Sequence, residues 1–347
     1  MNLRRFLGPV AIALFGLASN VPAHAQTVLL KVHHFLPGTS NVHVNLIQAW
    51  CDKVAKESAD RLKCQIYPAM QLGGTPAQLF DQARDGVADI VWTIPTYSAG
   101  RFVKSEVFEL PFFTHSAKGS SQAYWAFVQK SALDEYQGVR PIFLHTNDGS
   151  SFHLMSAKGV STLEELKGLK IRAATRLNSR MLAALGATPV QMPLPAVPES
   201  MSKGVIDGAM VPWEGVPAAK LQEIAKSHLD VPAGQAKFSN SIFAFVMNQA
   251  RYDGLPPELK KVIDANSGLA VSAWAGEKGF DAVVAANHKL ASDRGNLLLT
   301  LSDAEYQRWN KASADVDEQW VKEVSAKGAN GKALLEEARA LIRQYDR

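Results

Sequence analysis

The chain has 347 residues, 47% of them hydrophobic and 20% charged, with a formal net charge of +4. That length suits two domains with ordinary globular cores. The charge is small and dispersed, without a Lys/Arg run or a zinc-ligand spacing, which argues against a nucleic-acid-binding class.

Arg4 and Arg5 form a positive start, residues 6–17 a short apolar stretch, and Ala23-His24-Ala25 a small-x-small cleavage site. This is the pattern of a secretory signal peptide, residues 1–25, cleaved after Ala25. The competing reading is an uncleaved membrane anchor, but the stretch is too short to span a bilayer. No lipid-accepting cysteine stands at the cleavage site, and no later segment is long and apolar enough to span. The expectation is a soluble protein of the periplasm, not membrane-inserted once the signal is removed.

Residues 28–35 (VLLKVHHF) read as the first strand. Over 44–58, Val44, Ile47, Trp50, Cys51 and Val54 recur at helical spacing. Residues 62–67 are the next strand. Export permits a disulfide between the only two cysteines, Cys51 on that helix and Cys64 on that strand. The alternative is a pair of buried thiols. Pro76 suits the first turn of a helix, and residues 87–93 and 139–145 read as further strands. Strand and helix alternate, which predicts parallel α/β sheets. His33 and His34 are adjacent on a strand, where neighbours point to opposite faces, so they make a poor metal site.

A near-repeat divides the chain. Residues 79–92 read LFDQARDGVADIVW and residues 197–210 read VPESMSKGVIDGAM. Each is a helix, then Gly-Val-x-Asp, then a strand, with Gly86 and Asp89 matching Gly204 and Asp207. The glycines suit a left-handed helix end. Two similar lobes imply a cleft between them. Arg172 stands at the carboxyl end of a short apolar strand, 169–173, where open α/β sheets bind ligands. Enzyme chemistry finds little support: there is no Gly-x-Ser-x-Gly elbow, no His-Glu-x-x-His helix and no phosphate loop.

Several segments carry a family resemblance. They are YPAMQLGG at 67–74, GVAD at 86–89, ELPFF at 109–113, LEELKGLKIR at 163–172, LGATPV at 185–190, and GVIDG at 204–208 followed by Pro212-Trp213-Glu214. In that order and spacing the chain resembles the extracytoplasmic solute-binding proteins of TRAP transporters, the DctP family, over nearly all of the mature sequence. The resemblance implies an α/β, two-lobed periplasmic binding protein fold (type II-like) with hinge strands and a long connecting helix. Lobe I would comprise 26–149 plus about 239–279, and lobe II 150–238 plus about 280–347. It implies closure around a small organic acid, no cofactor, and delivery to the small and large TRAP membrane permease subunits. It also implies that Arg172 clamps the ligand carboxylate. Guanidinium fits a carboxylate with paired donors and keeps its charge when desolvated.

Departures from the family pattern bear on the ligand. Ser151 and Phe152 stand where relatives binding polar acids often add a second arginine. Val211 and Phe35 replace asparagines, and Trp92, Leu194 and Trp213 border the expected cleft. A second carboxylate would lack partners among these side chains. The expectation is an apolar or aromatic monocarboxylate, or a 2-oxo or 2-hydroxy acid. His34, Thr93, Asn147 and His153 would bond its other polar groups. Glu214 is expected to brace the site without touching an anion, and Arg176 and Arg180 to form a solvated face. The amphipathic segment 334–342 is expected to pack on its own lobe. A ligand sensor reporting to a receptor would use the same fold, so that alternative stays open; a periplasmic enzyme is the weaker one.

Overall fold

A computed structural model describes residues 27–346, so the predicted signal peptide lies outside the described residues. The strands in chain order begin with β1 (Val28–His34), β2 (Leu62–Tyr67), β3 (Ile90–Thr93) and β4 (Val139–Thr146). They continue with β5 (Ser150–Leu154), β6 (Lys170–Ala173), β7 (Thr188–Gln191) and β8 (Gly208–Pro212). The last are β9 (Ser227–Asp230), β10 (Ile242–Asn248) and β11 (Leu297–Thr300). One sheet has the order β2-β1-β3-β10-β4, the other β11-β9-β5-β8-β6-β7. In each, three strands are parallel, and an antiparallel strand, β10 or β5, follows.

The near-repeat is structural. Gly86 has φ +77° and Gly204 φ +68°, values that favour glycine. Each lets the chain reverse from helix to strand. Asp89 Oδ2 then accepts the Lys31 N–H at 2.8 Å, and Asp207 Oδ2 accepts the Lys170 N–H at 2.8 Å. Each aspartate thus ties the start of its strand to the parallel strand beside it. The antiparallel strands are exchanged between the halves. β4 runs directly into β5, and residues 239–241 lead back from the second half into β10. The two crossings touch: Asn147 N–H donates to Asn240 Oδ1 at 3.0 Å and Ser150 N–H to Ser239 O at 2.9 Å. These are the hinge strands.

The helix predicted over 44–58 opens as a π-helical stretch, Val42–Gln48, and continues as an α-helix, Ala49–Glu57. Trp50 on its buried face packs edge-on against Phe245 of β10. Cys51 and Cys64 form a disulfide across a sequence separation of 13. A loop of that size contributes about 3 kcal/mol by chain entropy.

The connecting helix is broken in two. It runs over Leu269–Gly279, turns at Phe280 (φ −133°, ψ −65°), and resumes as Val284–Ser292. The break has a cause on each side. The Phe280 ring turns inward against His145 and Phe243. The Asp281 carboxylate accepts the N–H groups of Ala117 and Lys118 at 2.8 Å, at the start of helix Ala117–Phe127. Gly276 lies so close to that helix that a Cβ would sit 2.3 Å from Ala117 O.

The C-terminal tail departs from the expected lobe division. Helix Gly331–Tyr345 packs on Ala117–Phe127 of the first lobe, and Asp346 accepts the His115 and Ser116 N–H groups. Helix Asp315–Ala326 bridges the lobes. Its Trp320 donates to Val103 O at 2.9 Å on one side, and Glu323 meets Arg176 and Arg180 on the other. The amphipathic pattern over 334–342 marked the last helix, but which lobe receives an amphipathic face depends on contacts remote in sequence. Among the described residues no helix is long and apolar enough to cross a membrane.

Candidate functional site

At the carboxyl ends of β3, β6 and β8 the two lobes enclose a narrow cavity. Its volume is about 20 Å³, room for about one water. The space is therefore a slot. The first lobe supplies an aromatic wall. Phe35 lies 5.1 Å from Trp92 and 5.7 Å from Tyr97 between ring centroids, and Trp92 stacks on Phe243 at 4.9 Å and 18°. Trp92 Nε1 donates to His145 Nε2 at 2.8 Å, which fixes the indole plane. The second lobe supplies Leu194, Val211, Ala174 and Pro212.

Arg172 enters this apolar slot from β6 and is 2% exposed. Its Nε donates to Met192 O and its Nη1 to Met210 O, both at 2.9 Å. The Tyr97 hydroxyl lies beside the guanidinium, and burial raises that phenol's pKa. The two main-chain bonds orient the fork, and donors remain. No carboxylate pairs with Arg172 among the described residues. Burial lowers its pKa, but an arginine stays protonated. A buried charge without a counter-ion costs several kcal/mol. An anion entering the slot removes that cost.

Two further buried polar atoms in the cavity lack partners among the described residues. Asn147 Nδ2 is one: Asn147 Oδ1 is occupied by the Gly149 N–H at 2.8 Å, which turns the amide's donors away from that bond. Glu214 Oε1 is the other. Burial pushes the Glu214 carboxyl up to about 8, opposed only by the Val42 main-chain N–H. It is therefore neutral at pH 7. Glu109 lies behind the site, accepts from Thr96 Oγ1 at 2.6 Å and Ile242 N–H at 3.1 Å, and is likewise raised by burial to about 8. Neither acid cancels the charge of Arg172.

Of the residues singled out from sequence, the slot gathers Arg172, Phe35, Trp92, Asn147, Leu194 and Val211. The others lie elsewhere. His34 is bonded to His43 at 2.8 Å and to the Leu36 N–H. Thr93 Oγ1 faces Pro76 O. Phe152 fills the second lobe's core between Phe238 and Trp309. His153 is bonded to His228 and to Val211 O. Ser151 and Trp213 both donate to Asp230, beside a separate cavity that includes His288 and Lys237. Strand alternation keeps Ser151 out of the slot: on β5, Ser150 borders both cavities and Ser151 only the second. Sequence reasoning missed Tyr97, Ser150, Ser241 and Phe243. For Tyr97 a signal existed, since it follows closely on the carboxyl end of β3.

The solvated-face reading of Arg176 and Arg180 is corrected. Arg176 pairs with buried Glu106 of the first lobe and with Glu323, and Arg180 pairs with Glu323. A period of four on a helix does not distinguish solvent from a facing lobe. Glu214, expected to brace the site without touching an anion, borders the slot.

The buried carboxyls set a pH dependence. Burial raises Glu109 and Glu214 to about 8 and Glu135 to about 7, from an ordinary 4.5. Folded protein holds these protons where unfolded chain releases them. Their contribution is fully present below about 4.5 and is lost as pH rises through the folded values. Buried histidines act oppositely: His34 and His145 fall to about 3 and His228 to about 4, from 6.5, so their contribution is lost as pH falls. Between 7 and 8, where histidines of the unfolded chain are largely neutral, the carboxyl effect therefore dominates. Calorimetry of the ligand-free protein should show Tm falling across that window, by on the order of 1 kcal/mol per carboxyl per pH unit. Glu109→Gln should flatten the slope. A Tm that is level or rises from pH 7 to 8 contradicts the assignment.

The sequence matches the family described as bacterial extracellular solute-binding protein, family 7, over residues 32–323. A TRAP solute-binding protein from Rhodoferax ferrireducens T118, solved with copurified benzoate, is 46% identical. It superposes with a TM-score of 0.90 over 92% of this chain and 98% of its own. A marine-metagenome TRAP solute-binding protein from an unidentified microbe, specific for aromatic acid ligands and solved with 3-hydroxybenzoate, is 40% identical. Its TM-score is 0.90 over 93% of this chain and 100% of its own. The outer membrane transporter protein TsaT of Comamonas testosteroni is 26% identical over 98% of each chain.

Proposed function

The chain belongs to family 7 of the bacterial extracellular solute-binding proteins, the receptors of TRAP transporters, and from that premise we propose that it captures an aromatic monocarboxylate in the periplasm and delivers it to the small and large membrane subunits of a TRAP permease. The observation that carries this reading is Arg172: a fixed, buried guanidinium with no acid partner among the described residues, inside a slot walled by Phe35, Trp92 and Phe243. The charge calls for one carboxylate. The narrow aromatic slot calls for a planar body, since stacking rings gain most when offset face to face. Asn147 Nδ2 supplies a further donor. The 46%-identical relative holding benzoate and the 40%-identical one holding 3-hydroxybenzoate support the same class.

Capture and closure are one equilibrium. The acid binds the closed arrangement better than the open one and shifts the population by that difference. The permease then meets a closed surface. The test is a thermal-shift screen of ligand-stripped protein with benzoate, mandelate, C4-dicarboxylates and sugars. A ligand specific to the folded state adds about 2.7 kcal/mol at a hundredfold excess over its Kd. Shifts with the aromatic monocarboxylates are expected. Shifts confined to dicarboxylates or sugars would sink the reading.

A further inference from the structure

We propose that Glu214 hydrogen-bonds a hydroxyl group on the ring of the bound acid, so that the protein selects hydroxylated over unsubstituted aromatic acids. The inference rests on the aromatic-acid reading and adds to it a specificity-determining residue.

The geometry comes first. Glu214 borders the slot, is 4% exposed, and has Oε1 without a partner. No basic side chain pairs with it among the described residues; the Val42 main-chain N–H donates to it, and the buried Asp148 carboxyl lies within electrostatic reach. Its backbone is held on both sides. Trp213 is pinned outward, since its Nε1 donates to Asp230 at 2.9 Å and its carbonyl accepts from Asn287 Nδ2 at 2.9 Å. On the other side the chain packs tightly, for a Cβ at Gly215 would sit 2.6 Å from Val211 Cγ1. The carboxyl is therefore presented to the cavity from a fixed turn. A buried polar atom left unbonded is costly, so a ligand group that bonds it gains what the empty site lacks.

The chemistry then selects the partner. Arg172 and Asn147 offer donors, which suit the carboxylate end of a ligand. Glu214 is neutral at pH 7, so it offers an O–H and an acceptor lone pair together. A second carboxylate would meet no cation there. A ring hydroxyl is both donor and acceptor and fits without adding charge. A site built to bond a hydroxyl discriminates strongly against the analogue that lacks it, because its own buried group stays unpaired.

Isothermal titration of the ligand-free protein with benzoate and its three monohydroxy isomers tests this. The wild type should bind one hydroxy isomer about tenfold or more tighter than benzoate. In Glu214→Leu the ratio of the two Kd values should fall towards one. Glu214→Gln, which keeps a donor and an acceptor, should retain part of the ratio. Benzoate bound as tightly as every hydroxy isomer overturns the inference and leaves the aromatic-acid reading standing. So does a preference that survives in Glu214→Leu. If folded wild type binds none of the four acids, the aromatic-acid reading fails, and the inference with it.

Discussion

Arg172→Met will weaken binding of the acid by roughly thirty-fold to a few thousand-fold. The estimate follows from a buried charged hydrogen bond, which costs about 2–5 kcal/mol to lose, with about 1.4 kcal/mol for each factor of ten. Two features place Arg172 in the upper part of that range. It is 2% exposed, so water does not screen its bond to an anion. Its orientation is already fixed by the carbonyls of Met192 and Met210, so the ligand does not bear the cost of ordering the side chain. Methionine keeps the volume and flexibility needed to fill the gap. Arg172→Lys separates charge from geometry. An ammonium retains the attraction but cannot bond both carbonyls and a bidentate carboxylate in the same fork. Its affinity should fall between the wild type and Arg172→Met. Titration calorimetry reads both, and near-UV circular dichroism establishes that each variant is folded. Wild-type affinity in Arg172→Met would place the carboxylate elsewhere in the cleft.

The place of Arg172 at the cavity was legible because it depends on local pattern. A short apolar strand, 169–173, carries an arginine next to its last residue, and the structure puts that strand end at the cavity. The paired Gly-Val-x-Asp segments were legible for the same reason, since positive φ at Gly86 and Gly204 is a demand of the chain itself. The apolar wall was partly legible: Phe35 and Val211 stand where a polar binder would carry amide side chains, and both line the slot. What failed was side-chain direction on exchanged strands. β5 pairs with β8 and β9, more than fifty residues on, and that remote register decides that the face of Ser150 and Phe152 leads from the slot into the second lobe's core while Ser151 and His153 take the other face. The turn after β8 fails similarly. Trp213 and Glu214 are neighbours, and only the bonds from Trp213 to Asp230 and Asn287 settle which of them borders the slot. Partners remote in sequence also hid the role of Arg176.

That residue carries the second large effect. Arg176→Ala should shift the ligand-free protein towards open forms and weaken ligand binding with no change in the slot itself. Arg176 opens helix Arg176–Ala184 of the second lobe, while Glu106 lies on segment Ser105–Glu109 of the first. Arg176 Nε donates to Glu106 Oε2 at 2.7 Å, and Glu106 is 1% exposed. The pair therefore exists only when the lobes meet. Removing one partner of a buried pair costs about 3–5 kcal/mol when the other stays charged. Glu106 relieves part of this by taking up a proton, because burial already raises its pKa, so the effective cost is smaller at low pH. The bond from Arg176 to Glu323 is half exposed to solvent and adds little. Whatever cost remains falls on the closed state and leaves the open one nearly untouched. Apparent affinity drops by the fraction of closing-competent protein that is lost. Small-angle scattering should give a larger radius of gyration for ligand-free Arg176→Ala than for the wild type, and equal radii at saturating ligand. The double variant Arg176→Ala with Glu106→Gln should recover part of the affinity, since it removes the stranded acid. A lower Tm with unchanged radius and affinity would show that the pair stabilises the fold without acting on closure.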